Sequence, residues 1–443
     1  MNRSAGFLHW VFPAMLGLGA LAFLLSGRDF TQIVGELDLG AEPLRHPAVV
    51  WSQRATSILL LGVALERVFS HITLRKSVPS LVLAWTFLIY WLGSVAAPAL
   101  FGSHPQLSHE YIYSLAICLA AVLATTQERD KVLDTSRNAL FAFLLAGVLL
   151  IPLTPALVLD TEYTQGVVPG VPRLAGLAAH PVELGMLAQT ALLLLLHRSF
   201  ASTWLNGLSW VLGASALVLA QSKSAWIAFF ICMTCILAVR HGNSFWRRLG
   251  DPKHQSFGIS ICLGFIAVVL ALLAGILLAD LPTEVGEFFD TTEGAQLLSL
   301  TGRDRIWAIA MEEWRANPLF GYGPGLWDPA FRASIGMPHA THAHNQFMDM
   351  LARSGSVGAG ALVLYAGVLL VLAVRYAKDT GGLSLALFLA LALRSITEVP
   401  LYLFSYGTDL FIHLLLIVTL ASAAGARRYV APVRDRATFG MAP

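Results

Sequence analysis

The residues best suited to chemistry lie in one polar interval, Ser299–Gly355, of an otherwise almost continuously apolar chain. Near its end stand His342, His344 and Asn345, just ahead of a stretch with helical spacing that Gly355 closes as a C-cap. A histidine at a helix N-terminus meets the positive end of the dipole, which disfavours imidazolium. Such a ring stays neutral and can take a proton from a hydroxyl. The plainer alternative is a pair of loop histidines bonded to backbone, and placement alone does not separate the two. If either is a base, His344, which abuts Asn345, has the better claim to the helix end.

The same interval opens with Thr301-Gly302-Arg303-Asp304-Arg305-Ile306-Trp307. Thr301 reads as an N-cap, and Ile306, Trp307, Ala310 and Trp314 recur at helical spacing up to Asn317-Pro318. Cations in a first helical turn oppose the macrodipole at a cost of a few tenths of a kcal/mol or more. Asp304 offsets part of that. Free N–H groups and guanidinium groups together form an anion site; the alternative is that Arg303 and Arg305 are solvated or meet lipid head groups. Between these ends, Gly321, Gly323 and Gly325 surround Tyr322 and Pro324. That spacing is too short, and too rich in proline, for a dinucleotide loop, and it reads as a tight turn. Trp307, Trp314 and Trp327 are candidates for stacking on sugar rings or for an interfacial aromatic belt.

Other polar residues sit at pointed places. Arg173 lies in Pro172-Arg173-Leu174, with His180-Pro181 close behind, and Lys223 lies in Gln221-Ser222-Lys223-Ser224 between two apolar runs. Arg394 and Glu398 are four apart on an apolar stretch, with Asp409 following. A charge at the bilayer centre costs ~2.5–3.5 kcal/mol even on the lenient insertion scale, so such residues face a partner or a cavity. Arg394 and Glu398 are expected to lock to each other on one helical face. His413 reads as a packed histidine. Cys118, Cys232, Cys235 and Cys262 all fall in apolar runs. The Cys232/Cys235 spacing lacks nearby His or acidic partners, so packing is expected over metal or redox use.

These groups need a scaffold, and the composition says which kind. The chain has 443 residues, 56% hydrophobic and 13% charged, with a mean hydropathy of +0.67. Soluble domains carry about 25% charged residues. The deficit, with repeated apolar runs near ~20 residues, implies an all-α polytopic integral membrane protein. About twelve spans are expected, near 7–26, 49–68, 79–101, 110–127, 138–157, 181–197, 203–220, 225–239, 257–279, 356–374, 381–399 and 403–424. Residues 7–26 form too long an apolar run for a signal peptide and read as a retained span. The whole chain, 1–443, is read as one transmembrane domain, with 280–355 as a large exported loop containing short helices.

Orientation follows from Lys and Arg. One set of loops holds Arg75, Lys76, Arg129, Lys131, Arg137, Arg198, Arg240, Arg247, Arg248, Lys253, Arg375 and Lys378, and the tail adds four arginines. That side, with both termini, is expected to be cytoplasmic, and the 280–355 loop faces away from it. ATP and nucleotide sugars are absent from that compartment, and no Walker-type loop occurs in the sequence. Nothing in it suggests a nucleic-acid partner.

An Arg loop followed by His-Pro, a Ser-x-basic turn, Thr301-Gly302-Arg303 with Ile306-Trp307, a Gly-Tyr-Gly turn, and His344-Asn345 before a span together resemble the O-antigen ligase/polymerase (Wzy-C) superfamily. The similarity covers about residues 165–410 and is densest at Thr301–Gly358. It implies a GT-C-like glycosyltransferase of the bacterial inner membrane, independent of metal and cofactor. Such an enzyme moves a saccharide from an undecaprenyl-pyrophosphate-linked donor to a hydroxyl acceptor at the periplasmic face. The resemblance assigns catalytic roles to Arg303, Arg173 and His344. Substrate-binding roles are expected for Arg305, Lys223, His342, Asn345, Trp307, Tyr322 and Glu398. Where the family shows arginine in the Ser-x-basic turn, this chain has Lys223, which keeps the charge but loses the bidentate fork. Glu398 resembles a late acidic position.

The implied chemistry agrees with the residues. A departing lipid pyrophosphate builds negative charge that arginines can stabilise, and a neutral histidine can take the acceptor proton. No carboxylate-rich loop is present to bind a divalent ion. The leading reading is a polymerase of lipid-linked units into O-antigen or exopolysaccharide. A ligase to lipid A-core or a protein acceptor is the runner-up. A transporter of lipid-linked sugars would favour binding residues near the bilayer midplane, whereas here they cluster in the exported loop.

Overall fold

The structure, a computed structural model, describes residues 6–30, 46–161, 170–249, 303–337, 340–404 and 407–436. Among them, seven helices are long and apolar enough to cross a membrane: Leu8–Leu25, Pro47–Thr73, Leu81–Phe101, Thr126–Leu149, Lys223–Phe245, Gln346–Arg375 and Leu410–Arg427. Four more expected spans coincide with shorter apolar helices, Glu110–Val122, Pro181–His197, Thr203–Leu219 and Leu383–Thr397. At 1.5 Å per residue the longest of these reaches about 26 Å, short of a ~30 Å hydrocarbon core. The expected span 257–279 and the expected N-cap Thr301 lie outside the described residues.

Helix boundaries follow local signals. The expected span 138–157 is replaced by Thr126–Leu149. Thr125 starts it with a capping box: its side chain accepts the Glu128 N–H, and Glu128 accepts the Thr125 N–H at 2.9 Å. Polar residues fill the first turns, which hid the helix from a hydropathy reading. At the centre of the bundle lies Leu410–Arg427, 83% of whose apolar window is buried, against 22% for the peripheral Pro47–Thr73. The periphery carries exposed Trp51, Ile58, Leu59 and Trp85, a surface suited to lipid.

Two long helices are broken at matching levels. Leu81–Phe101 contains a π-helical turn at Leu92–Ala96. Gln346–Arg375 bends at Gly355, whose φ of 63° and ψ of −165° are not helical. Gly355 thus acts as the expected helix break, but the chain continues directly into the span rather than stopping. A kink frees carbonyls of the preceding turn. Here Ala352 O and Arg353 O accept the N–H groups of Tyr322 (2.9 Å) and Gly323 (3.0 Å), while Ser356 N–H and Val357 N–H donate to Pro318 O and Leu319 O. The Gly-Tyr-Gly turn is the tight turn expected, and it caps the kink. A Cβ at Gly321 or Gly355 would overlap the opposing backbone. Ser354 completes the junction by donating to Ser94 O, in the π-turn, at 2.8 Å.

The loops gather at two opposite ends, as the Lys/Arg bias groups them. At one end Arg198 pairs with Asp130 and Asp134, Arg427 with Asp379, and Arg240 donates to Leu196 O and Gly381 O. At the other end Arg28 reaches the carbonyls of Leu157 and Gly176, and Ser103 N–H and His104 N–H meet Gly321 O and Tyr322 O. There a two-residue antiparallel pair sets Asp160 opposite Arg173.

Candidate functional site

Asn345 starts the long kinked helix as its N-cap. Its side-chain oxygen accepts the N–H groups of Phe347 and Met348, both at 3.0 Å, and its amide donates to Ile396 O at 3.3 Å. This amide therefore orders the helix start and ties it to the end of the Leu383–Thr397 helix. His344 precedes it with φ at +48°, a left-handed conformation uncommon for a residue with a side chain. That backbone turn brings the two imidazoles together, with ring centroids 4.3 Å apart.

The two histidines differ in what their nitrogens do. His342 Nδ1 accepts the His344 N–H at 3.1 Å, so the proton of its neutral ring sits on Nε2, which faces Glu398 Oε2 at 3.1 Å. Both of its nitrogens are engaged. His344 Nδ1 lies 3.8 Å from the same carboxylate oxygen, beyond hydrogen-bond length, and is buried with no hydrogen-bond partner. Its side chain keeps 29% of its exposure. His344 is thus the ring with capacity to take up a proton.

Glu398 arrives from elsewhere in the chain. It is the C-cap of the Leu383–Thr397 helix, with extended φ of −146° and ψ of −178°. The expected Arg394–Glu398 lock does not form. Once residue 398 leaves the helix, the four-residue spacing no longer puts both side chains on one face. Arg394 Nη2 instead donates to Asp409 at 2.8 Å, and Glu398 turns to the histidines. Burial acts to raise the Glu398 pKa, but the hydrogen bond from His342 and the electrostatic influence of both nearby imidazoles outweigh it and hold the carboxyl below its ordinary value.

Beside this cluster opens a small cleft between the Pro181–His197, Lys223–Leu249 and Leu383–Thr397 helices. Arg394, Glu398, Ser222 and Ser224 supply its polar wall, and Met186 and Ala390 part of its apolar wall. Lys223 begins its helix exposed and is not among the lining residues; the flanking serines take that place.

Arg173 is 4% exposed and donates to Ala220 O at 3.3 Å. His180 lies near both Arg173 and members of the cluster. That ring is held below its ordinary pKa first by desolvation and then by the charge of Arg173, while Asp160, Glu398 and His344 also act on it. Water still reaches His180, but enough protein surrounds it for these charges to be felt. Its Nδ1 caps the following helix by accepting Val182 N–H at 3.2 Å.

The remaining expected residues lie between Arg303 and Trp327. Arg303 opens the Arg303–Ala316 helix and has no hydrogen bond or ion pair among the described residues. One turn later, on the same face, Trp307 Nε1 donates to Ala343 O at 2.8 Å, which turns that face toward the histidine loop. Arg305 is exposed and donates to Ile335 O at 3.1 Å. Tyr322 stacks on His104, with centroids 4.1 Å apart, and meets Phe331 edge-on. The three tryptophans direct their indole N–H groups to protein acceptors: Trp307 to Ala343 O, Trp314 to Pro318 O, and buried Trp327 to Asp349. Asp349 and Arg353, four apart in one helix, are a pair legible in the sequence that the functional motifs do not include.

His342, His344 and Glu398 are also the group of described residues whose donor atoms, all within 4.8 Å of one another, could hold a metal ion. Two imidazoles and one carboxylate are a donor set that zinc accepts. The direct His342–Glu398 contact accounts for the same cluster without an ion.

Over residues 208–363 the chain matches the family model Wzy_C, described as O-antigen ligase. The matched region contains Ser222, Arg303, His342, His344 and the kinked helix start, and ends before Glu398. No curated protein matches the chain.

Proposed function

We propose that this chain, which carries the O-antigen ligase family's Wzy_C domain over residues 208–363, is a glycosyltransferase that joins saccharide units from an undecaprenyl-pyrophosphate-linked donor at the periplasmic face of the inner membrane. The observation that carries this reading is His344, with an unpartnered ring nitrogen, beside Glu398 and an open cleft at the end of the bundle opposite the basic loops.

In this mechanism the acceptor hydroxyl gives its proton to His344 as its oxygen attacks the anomeric carbon. The bond from that carbon to the pyrophosphate breaks, and the anionic lipid pyrophosphate leaves. Arg303 and Arg173 stabilise the charge that develops on it. Glu398 stabilises the imidazolium that forms on His344, while His342 holds Glu398 in place. No step requires a metal ion.

A second reading, transfer of a finished glycan to lipid A-core, is favoured by the description of the matching family. The two readings differ in the acceptor alone. The test is purified protein with a lipid-linked donor, offered either a second lipid-linked unit or lipid A-core. Lengthening of the lipid-linked product marks a polymerase, and glycosylated lipid A-core marks a ligase. Product in neither assay would sink the proposal. Arg303→Ala is expected to abolish transfer nearly completely, with Arg303→Lys a partial rescue because the fork geometry is lost. Chelators should leave the rate unchanged; inhibition reversed by zinc would move His342, His344 and Glu398 to the role of metal ligands. For orientation, cysteine at Ser334 should react with an impermeant thiol reagent in cells with a permeable outer membrane. Protection there, with labelling at Asn243, would invert the topology.

A further inference from the structure

We infer that Asp349 is a positioning residue for His344, acting through the Ala343 peptide. This rests on His344 being the base proposed above.

The peptide between the two histidines is pinned on both sides. Ala343 is fully buried, and its N–H donates to Asp349 Oδ1 at 3.1 Å while its carbonyl accepts Trp307 Nε1–H at 2.8 Å. The left-handed turn at His344 follows directly, so the direction of the His344 ring is set by how firmly residue 343 is held. Asp349 is itself over-determined. The same Oδ1 accepts Trp327 Nε1–H at 2.9 Å, and Oδ2 faces Arg353 Nε at 3.1 Å. Both members of that ion pair are almost wholly buried.

Arg353 extends the brace into the exported loop. It donates to Pro324 O at 2.7 Å and Leu326 O at 2.9 Å, and its guanidinium lies over Tyr402 and Phe404. One turn of the kinked helix therefore ties the Gly-Tyr-Gly turn, the indoles of Trp307 and Trp327 and the histidine loop into a single network. None of these side chains is placed against the cleft. They act on catalysis through the geometry of the base, and misplacement of a reacting group by ~1 Å can cost about 10²-fold in rate.

Two variants test this. Asp349→Asn keeps the shape, but its amide presents either N–H groups to Arg353 or N–H groups to Ala343, so one side of the brace opens. It should lower kcat about 10²-fold, with donor KM unchanged. Trp307→Phe keeps the ring, and with it any stacking on sugar, while removing the bond to Ala343 O. It should lower kcat about 10-fold at unchanged KM, in protein that remains folded, which keeps the inference testable even if Asp349→Asn does not fold. The decisive measurement is Trp307→Phe in a His344→Ala background. If the indole acts through His344, the second change has no further effect on residual turnover. An equal loss in both backgrounds, or a raised KM at unchanged kcat, would overturn the inference. If His344→Ala is crippled and Trp307→Phe is not, this inference fails while the proposed base survives. If His344→Ala keeps wild-type turnover, both fail.

Discussion

Two glutamates, the buried Glu128 and the half-buried Glu398, one at each end of the bundle, show how the same side chain is used differently. Glu128 meets Arg67 through both carboxylate oxygens and also closes the Thr125 capping box. Arg67 adds a bond to Leu123 O at 2.7 Å. Glu398 meets two imidazoles instead, although an arginine lies four residues away on its own helix. A guanidinium is a permanent cation, so the first pair is a fixed lock. An imidazole gains and loses its proton near neutral pH, so the second arrangement can take part in proton transfer. Identical acid chemistry becomes structural or reactive according to its partner.

The sharpest way to break this contrast is at the reactive end. His344→Ala should lose about 10²–10⁴-fold in kcat, the usual loss for a general base, and retain donor binding. His342→Ala should do less harm, because both of its nitrogens are already engaged. Turnover and donor affinity measured on the same preparations check this. An affinity loss in proportion to the rate loss would make His344 a binding residue.

At the structural end the expected effect is on stability. Arg67→Ala leaves Glu128 buried without its partner, a change that typically costs about 3–5 kcal/mol. Thermal unfolding in detergent should show it, while transfer per folded molecule stays near wild type. A selective loss of kcat would mean that the two ends are coupled and the contrast is false.

The smallest effect concerns pH. Because Glu398 is held below its ordinary value, near about 4.3, its contribution to stability is present above that range. The contribution is lost as pH falls through the lower folded-state value. The stability gap between wild type and Glu398→Gln should therefore persist from neutral pH down to the ordinary glutamate range and close only below it. A gap that closes on the alkaline side instead would assign the effect to another group.

Much of this was legible in the sequence where the signal is local. Apolar runs gave many of the helices, the Lys/Arg bias grouped the loops, and a helix beginning near His344 and closed by Gly355 was expected where the helix starts at Gln346 and kinks at Gly355. What stayed hidden was long-range or terminal. The His342–Glu398 contact joins segments far apart in the chain. The Arg394–Glu398 expectation assumed a helix that ends one residue too early to satisfy it. The indole of Trp307 was read for its ring, while its N–H finds Ala343 O. Thr125 and Glu128, by contrast, were a readable capping signal masked by a search for apolarity alone.

The kink at Gly355 has a consequence for how the chain is made. The segment 303–325 leaves the ribosome before the helix that supplies Ala352 O and Arg353 O, and well before Glu398. Its Gly-Tyr-Gly turn can dock early on Phe101 to His104, which are synthesised first. The histidine loop has one early contact, from Trp307 to Ala343 O, whereas Asp349 and Glu398, which also hold it, are synthesised later. Completion of the reactive end is therefore tied to late steps of membrane insertion. A chain truncated after Arg375 would hold the histidine loop and the kinked helix and still lack the carboxylate that its histidines face.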